Sequence, residues 1–468
     1  MLTYDLEKRE NKPLYEFLYL NIRNDICSGK IKPFEKLPSK RSLSEHLHVS
    51  IITVKNAYEQ LIAEGYITSC ERKGYYASDI GGNTINSLNK NNKFNYTVKT
   101  SKIISVNTDG KISISQNSPD PSMFPFSVWS KLMREVLSEQ DAKLLRRIPF
   151  NGVLELREAI AKNLYGTRGI SADPESIIIG AGTEFLYNLI IQLLGREKIF
   201  AMENPGYKKI ANICRRSGVR FNTVDVDSYG MSLKKLESAG GDIIHISPSH
   251  HYPTGIVMPV GRRRELLHYV FENNGYIIED DYDSEFRYSG RPIPSLKSID
   301  GYGRVIYMNT FSQTISPSIR ISYMILPDEL MEKFVRDMSF YSCTVSSFEQ
   351  YALAKFIIGG YFDKHINRMK NYYRQKRKEV IETVNKYNAG NMSIIEQAAG
   401  THFLIKLNTK KSDAEIYGEC LENDLRLSFV SDYMYSYLER YRNCVIVSYT
   451  GTDINKIAEA IKILNKII

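Results

Sequence analysis

LPSKRSLSEHLHVSIITVKNAYEQLIAEGYITS, residues 37–69, carries two helix starts and a helix stop in one short run. Ser39 stands before Lys40–Leu47, and Ser50 stands before a longer run in which Val54, Ala57, Tyr58 and Leu61 recur at helical spacing. A serine hydroxyl in that place accepts an orphan N–H of the first turn, so each serine predicts an N-cap. His48-Val49-Ser50 predicts a tight turn between the two helices, and Gly65 ends the second. Upstream, Leu14, Phe17, Leu18, Ile22 and Ile26 predict another helix, stopped by Gly29. Downstream, Tyr66-Ile67-Thr68 and Tyr75-Tyr76-Ala77 predict two short strands around Glu71-Arg72-Lys73-Gly74, a hairpin with a basic tip.

Helix, short helix, turn, helix and hairpin is the order of a winged helix-turn-helix, an α+β unit whose third helix enters the major groove of DNA. Residues 37–69 resemble the DNA-binding domain of GntR-family bacterial regulators. The resemblance implies a DNA-binding domain over 1–79, with Ser39, Lys40, Arg41, Ser50, Thr53, Lys55 and Asn56 facing DNA. Arg72, Lys73 and Gly74 of the wing would reach phosphates or the minor groove. A solvated helix face carries similar charges, and it is the complete order of elements that favours DNA. One departure stands out: the family often has arginine after the Val-Ser pair, where this chain has Ile51.

The remaining features bound the class of protein. A chain of 468 residues exceeds one compact core and predicts two or three domains. With 43% hydrophobic and 25% charged residues, the composition excludes fibrous and disordered classes. No apolar run approaches the ~20 residues of a membrane helix, and the N-terminus has no signal-peptide core, so a cytoplasmic protein without membrane contact is expected. The formal charge of +9 suits an anionic partner without deciding for one. Six cysteines lie far apart with no zinc-binding spacing, which predicts reduced thiols and no metal site. Residues 80–112 open on Gly81-Gly82 and shift to Asn, Lys, Ser and Thr, which predicts a flexible linker.

Over 113–468, helical stretches such as Leu154–Leu164 alternate with Ile177-Ile178-Ile179, Ile243–Ile246, Gly275–Glu279 and Arg304–Met308. This alternation predicts an α/β domain around a mainly parallel sheet, with ligands at the carboxyl ends of the strands. Five segments fall there: Ile179-Gly-Ala-Gly-Thr-Glu184, Glu203-Asn-Pro-Gly-Tyr207, Ser247-Pro-Ser-His-His-Tyr-Pro-Thr-Gly255, Glu279-Asp-Asp-Tyr-Asp-Ser-Glu-Phe286 and Thr310-Phe-Ser-Gln-Thr-Ile-Ser-Pro-Ser-Ile-Arg320. In that order they resemble fold-type I pyridoxal-phosphate enzymes, and more closely the aminotransferase-like domains of MocR-type regulators in the GntR family. The resemblance implies a PLP-dependent transferase-like fold and a pyridoxal 5'-phosphate site built from Gly182, Thr183, Glu184, Tyr207, Asp280, Tyr282, Thr310, Ser312, Gln313 and Arg320. The glycine turn at 180–183 opens a helix whose free N–H groups can hold a phosphate, and Thr310, Ser312 and Arg320 would complete the cup. Asp280 can pair with the protonated pyridine nitrogen. Tyr282 can donate to the ring oxygen and Tyr207 can stack on the ring, although either tyrosine could equally be core.

Position 313 decides the chemistry. The family has Thr-Phe-Ser-Lys, and its lysine forms the imine with the cofactor aldehyde; this chain has Gln313. A carboxamide nitrogen is neither an amine nucleophile nor a general base, so covalent capture and transamination are both expected to be lost, and no catalytic residue is assigned. Two further departures are Tyr252, where many aminotransferases have asparagine, and Ile446, where many relatives place an arginine for the substrate carboxylate. Lys209, Arg215 or Arg216 could replace that arginine. The expected function is a transcriptional regulator that binds an operator as a head-to-tail homodimer and senses pyridoxal phosphate, a vitamer or an amino-acid adduct non-covalently. The alternatives are a working aminotransferase and a regulator of an unrelated small-molecule effector.

Overall fold

Leu18, Ile22 and Ile26 fall on one side of a helix and are buried, as their spacing requires. They belong to the first of two compact units, residues 1–107 and 108–468, in a computed structural model. The structure describes all residues except 1, 10, 11, 71, 72, 80–111, 116, 140, 141, 289–292 and 396–399. The expected linker at 80–112 therefore lies outside the described residues, save Ile112.

The N-terminal unit contains α1 (Leu14–Cys27), α2 (Lys40–Leu47) and α3 (Ile51–Ala63). Its sheet joins β1 (Lys36–Leu37), β3 (Gly74–Ala77) and β2 (Ile67–Cys70) in that order, with both pairs antiparallel. Ser39 and Ser50 are both N-caps, each Oγ accepting a backbone N–H three residues on at 3.1 Å. His48, at φ +53, makes the left-handed turn out of α2. The two-residue β1 was not expected, because nothing marks so short a strand until its partner is in place.

In the second unit β5 (Ile177–Gly180), β6 (Phe200–Asn204), β7 (Phe221–Asp227), β8 (Gly230–Met231), β9 (Ile243–Ile246), β10 (Tyr276–Asp280), β11 (Val305–Thr310) and β12 (Ser322–Ile325) form one sheet, in the order β5-β12-β11-β10-β9-β6-β7-β8. From β11 to β7 every neighbouring pair is parallel, while β12 and the edge strand β8 run antiparallel. This is the mainly parallel sheet expected, and its central strands β6, β9, β10 and β11 are buried throughout, as in sheets with helices on both faces. The strands follow β4 (Ile112–Ser113), α4 (Phe126–Ser138) and α5 (Leu154–Arg168); α6 (Thr183–Leu194) follows β5 and α7 (Lys208–Arg216) follows β6.

A second, smaller body is built on β13 (Met392–Ile395), β14 (His402–Leu407) and β16 (Cys444–Ser448), antiparallel in that order, with β15 (Leu425–Arg426) paired to β4. The pairing of Ile112 with Leu425, and its burial, put the expected boundary between 112 and 113 inside a strand. Helix Tyr361–Tyr387 leads from the large sheet into this body. No helix among the described residues is long and apolar enough to cross a membrane.

Candidate functional site

Five strand ends converge on a cavity of about 390 Å³. Thr183 and Glu184 come from the turn after β5, Glu203 and Tyr207 from the end of β6, and Ser247, His251 and Tyr252 from the loop after β9. Asp280 and Tyr282 come from the end of β10, and Thr310, Ser312, Gln313 and Arg320 from the segment joining β11 to β12. Nine of the ten expected cofactor residues thus line one space. The tenth, Gly182, lies under Arg320 at φ +91, where a Cβ would collide with the guanidinium.

One end of the cavity is suited to an anion. The first N–H groups of α6 have no helical partner. Thr310 Oγ1 accepts from Ser312 N at 3.1 Å and from Ser322 Oγ at 2.8 Å, which sets two hydroxyls beside each other. Arg320 is held at φ +51, a conformation that costs a non-glycine residue on the order of 1 kcal/mol and persists only where surroundings impose it. Its Nη2 donates to Glu184 Oε2 at 2.5 Å, and Lys209 Nζ donates to Glu184 Oε1 at 2.9 Å. Burial would raise the Glu184 carboxyl, but these two cations outweigh it and hold it down at about 2. Glu184 is therefore a resident anion that occupies the cation Arg320 at this end of the cavity. Glu184→Gln is expected to tighten the binding of inorganic phosphate up to about tenfold, a modest gain because the pair is partly exposed. Calorimetry showing equal or weaker binding would exclude this competition.

Another part of the cavity wall suits a protonated ring nitrogen. Asp280 is buried; its Oδ2 accepts from Tyr187 OH at 3.3 Å and lies 3.7 Å from His245 Nε2, while its Oδ1 has no partner. A buried carboxylate oxygen without a donor is costly, and the N–H of a pyridinium would satisfy it. Burial keeps the Tyr282 phenol protonated, with its hydroxyl 3.2 Å from His250 Nδ1. Tyr207 is 41% exposed, meets Tyr252 edge-on and has Lys209 Nζ 5.7 Å over its ring. Gln313 is half-buried, and its carboxamide makes no hydrogen bond to the described residues.

Glu203 forms part of the wall. Burial pushes its carboxyl up to about 8, against the one N–H it accepts, from Ser247 at 3.2 Å. His251 Nε2 is 3.5 Å away, yet burial pulls that imidazole down to about 3, so the two meet as neutral groups and not as an ion pair. A carboxyl whose folded pKa lies above its unfolded value holds its proton longer in the native state, so stability falls as pH rises from about 4.5 to about 8. The slope for one proton is about 1.4 kcal/mol per pH unit. Glu203→Gln is expected to remove that slope from urea denaturation of the C-terminal unit; an unchanged pH profile would mean Glu203 ionises normally.

The cavity is closed by Tyr433 and Tyr435, from the segment between β15 and β16. Asn204 Nδ2 donates to Ser436 Oγ and to Asp225 Oδ1, each at 2.7 Å, and Asn204 Oδ1 accepts from Tyr435 N at 2.8 Å. Gly206 N donates to Tyr433 O at 3.0 Å. The end of β6 and the covering segment are thus joined directly.

In the N-terminal unit the expected DNA-facing residues lie at the starts of α2 and α3 and on the hairpin. Arg41 and Lys55 are exposed and make only surface pairs with Glu45 and Glu59, at 4.0 and 3.6 Å. Such pairs contribute little, so both cations can turn to phosphate. Asn56 is exposed, and Thr53 Oγ1 lies 2.8 Å from the capping Ser50 Oγ. Lys40 Nζ sits 5.5 Å over the Tyr75 ring. Lys73 is exposed beside Gly74, which takes φ +111 in the hairpin turn. Arg72 lies outside the described residues.

Residues 14–76 match the family of bacterial regulatory proteins, gntR, and residues 110–461 match aminotransferase class I and II. The chain is 36% identical over 436 residues to the HTH-type transcriptional regulator YdeL of Bacillus subtilis, covering 92% of each. It is 29% identical over 467 residues to the probable rhizopine catabolism regulatory protein MocR of Rhizobium meliloti, covering 98% of this chain and 94% of that one. The chain belongs to the MocR-type GntR regulators. Another relative of this MocR-type regulator is the pyridoxine biosynthesis transcriptional regulator PdxR of Corynebacterium glutamicum, 30% identical over 368 residues and 78% of this chain, 77% of PdxR. Among solved structures, the multiple substrate aminotransferase of Thermococcus profundus superposes with a TM-score of 0.69 at 25% identity, over 82% of this chain and 98% of that one. The kynurenine aminotransferase of Pyrococcus horikoshii gives 0.68 at 23% identity, over 81% and 97%, which shows the shared fold.

Several residues around the cavity of this MocR-type regulator escaped sequence reasoning. Tyr187, His245, Tyr433 and Tyr435 had no signal of their own: each reaches the site through packing between segments far apart in the chain, while Glu203 opens a quoted segment but was assigned no role. Of the three cations considered as replacements for a missing arginine, Lys209 lines the cavity and Arg215 and Arg216 do not. Ile446 is fully buried in β16 against Leu404 and Val430 and does not line it.

Proposed function

We propose that this regulator binds operator DNA through α3 and the wing, and that its aminotransferase-like unit is a receptor for pyridoxal phosphate, a related vitamer or an amino-acid adduct, held without a covalent bond. The observation that carries the proposal is Gln313, an unbonded carboxamide in a cavity whose other residues fit the cofactor. Gly182, Thr183, Ser312 and Arg320 would hold the phosphate, Asp280 the pyridine nitrogen, Tyr207 the ring face and Tyr282 the ring oxygen. Bound pyridoxal phosphate supplies an electron sink for amino-acid chemistry, but Gln313 offers neither the amine nor the base that such chemistry requires. The role of PdxR in regulating pyridoxine biosynthesis supports a vitamer as ligand. A head-to-tail dimer in the cytoplasm would read two half-sites, and ligand binding would act by favouring one of two arrangements of the DNA-binding units.

Equilibrium dialysis with pyridoxal phosphate tests the receptor. The expected result is stoichiometric binding that dialyses away and shows no band of a lysine-linked cofactor. A dialysis-resistant band, or steady turnover of amino donors and keto acids, would overturn it. For the DNA half, Arg41→Ala is expected to weaken duplex binding and lower the salt slope by about one, the signature of one lost phosphate contact. Ligand affinity should not change; an unaltered gel-shift titration would remove Arg41 from the interface.

A further inference from the structure

Ile51 and Ile52 form the first turn of α3 and are 49% and 68% exposed. At 100° per residue, Ile52 points almost directly away from the stripe of Val54, Ala57, Tyr58 and Leu61 that packs into the core. The i,i+4 spacing sets Ile51 beside Lys55 and Ile52 beside Asn56, both exposed. Both isoleucines are exposed, and neither belongs to the buried core of its unit. Two adjacent β-branched apolar side chains in water, at the head of a helix that carries Lys55 on an exposed position one turn on, fit an apolar partner set among negative charges.

We propose that Ile51 and Ile52 read the 5-methyl groups of thymines in the major groove, so that α3 selects half-sites containing A·T pairs; this rests on the DNA-binding reading above. Thymine is the only base that presents a methyl on the major-groove edge, and phosphates flank it on both sides. Lys55 beside the isoleucines matches those phosphates, which sets duplex DNA apart from an apolar protein partner. Asn56, one turn on from Ile52, has the donor and acceptor pair that matches adenine N7 and N6, so an adenine next to the contacted thymine completes the pattern. Lys55 is the one cation of α3 and is free to meet a phosphate, and α3 contains no arginine to read guanine.

The test starts from a random duplex pool, from which the full-length protein selects its site. The selected duplex is then resynthesised with uracil replacing thymine at one position at a time, which removes only the methyl. Binding is expected to weaken about fourfold at each contacted thymine, the loss for one buried methyl-sized group, and to stay unchanged elsewhere. Ile52→Ser should bind the thymine duplex correspondingly less tightly and no longer respond to uracil at its position. A selected site without thymine in the half-site, or a duplex held equally well with uracil at every position, overturns the inference. Failure to retain any duplex at low salt overturns instead the DNA-binding reading on which it rests.

Discussion

Gln313→Lys is expected to convert a colourless, dialysable complex with pyridoxal phosphate into a yellow one that survives dialysis and gains the mass of the cofactor on borohydride reduction. The position follows β11, faces the cavity and is half-buried, so a lysine there adds one chain atom without entering the core. Arg320 and Lys209 line the same cavity, and neighbouring cations favour the neutral, nucleophilic form of an added amine. A covalent link within a bound complex converts dissociation into a two-step process, and retention should rise by about two orders of magnitude or more. A well-folded variant without the visible band would mean that the cavity has diverged beyond this one residue, and the receptor reading would lose its main support.

The second large effect concerns stability. Asp281, adjacent to the cavity carboxylate Asp280, faces the other way and is fully engaged. Arg168 Nε lies 2.9 Å from its Oδ2, Arg168 Nη2 donates to its Oδ1 at 3.0 Å, and Tyr307 OH donates to its Oδ2 at 2.8 Å. Both partners of the ion pair are buried. Asp281→Ala leaves a guanidinium in the interior without its counter-charge, a loss of about 3–5 kcal/mol. Glu285, pushed up to about 7 by burial and by the Asp281 charge, ionises more readily once Asp281 is gone and offsets part of that loss above neutral pH. Urea denaturation should therefore show the C-terminal transition moved to lower urea, more so at pH 6 than at pH 8, with the N-terminal transition unmoved. An equal midpoint for variant and wild type would show that Arg168 is satisfied by Ser249 and Ile293 O alone.

These two neighbours show how far the sequence could be read. Asp280-Asp281-Tyr282-Asp283 offers three carboxylates, and strand alternation says only that 280 and 281 face opposite sides. The motif around them singles out Asp280, but the partner of Asp281 is Arg168 in α5, more than a hundred residues away, and no local pattern announces such a pairing. The helices of the N-terminal unit were legible to within a residue or two because caps, spacing and glycine stops are local signals. The cavity residues were legible where they sit in the motif segments at the ends of β5, β6, β10 and β11. Glu184 was expected to serve the ligand and lines the cavity, but its bonding was not foreseeable: the clamp by Arg320 and Lys209 requires three segments to meet.

The seam at Asn204 has a mechanical consequence. Floor and roof of the binding chamber are sewn together by one amide side chain and a neighbouring backbone bond, so prising them apart costs those bonds at once, about 1 kcal/mol each after water takes their place. An occupant of the chamber meets a wall that resists swinging open.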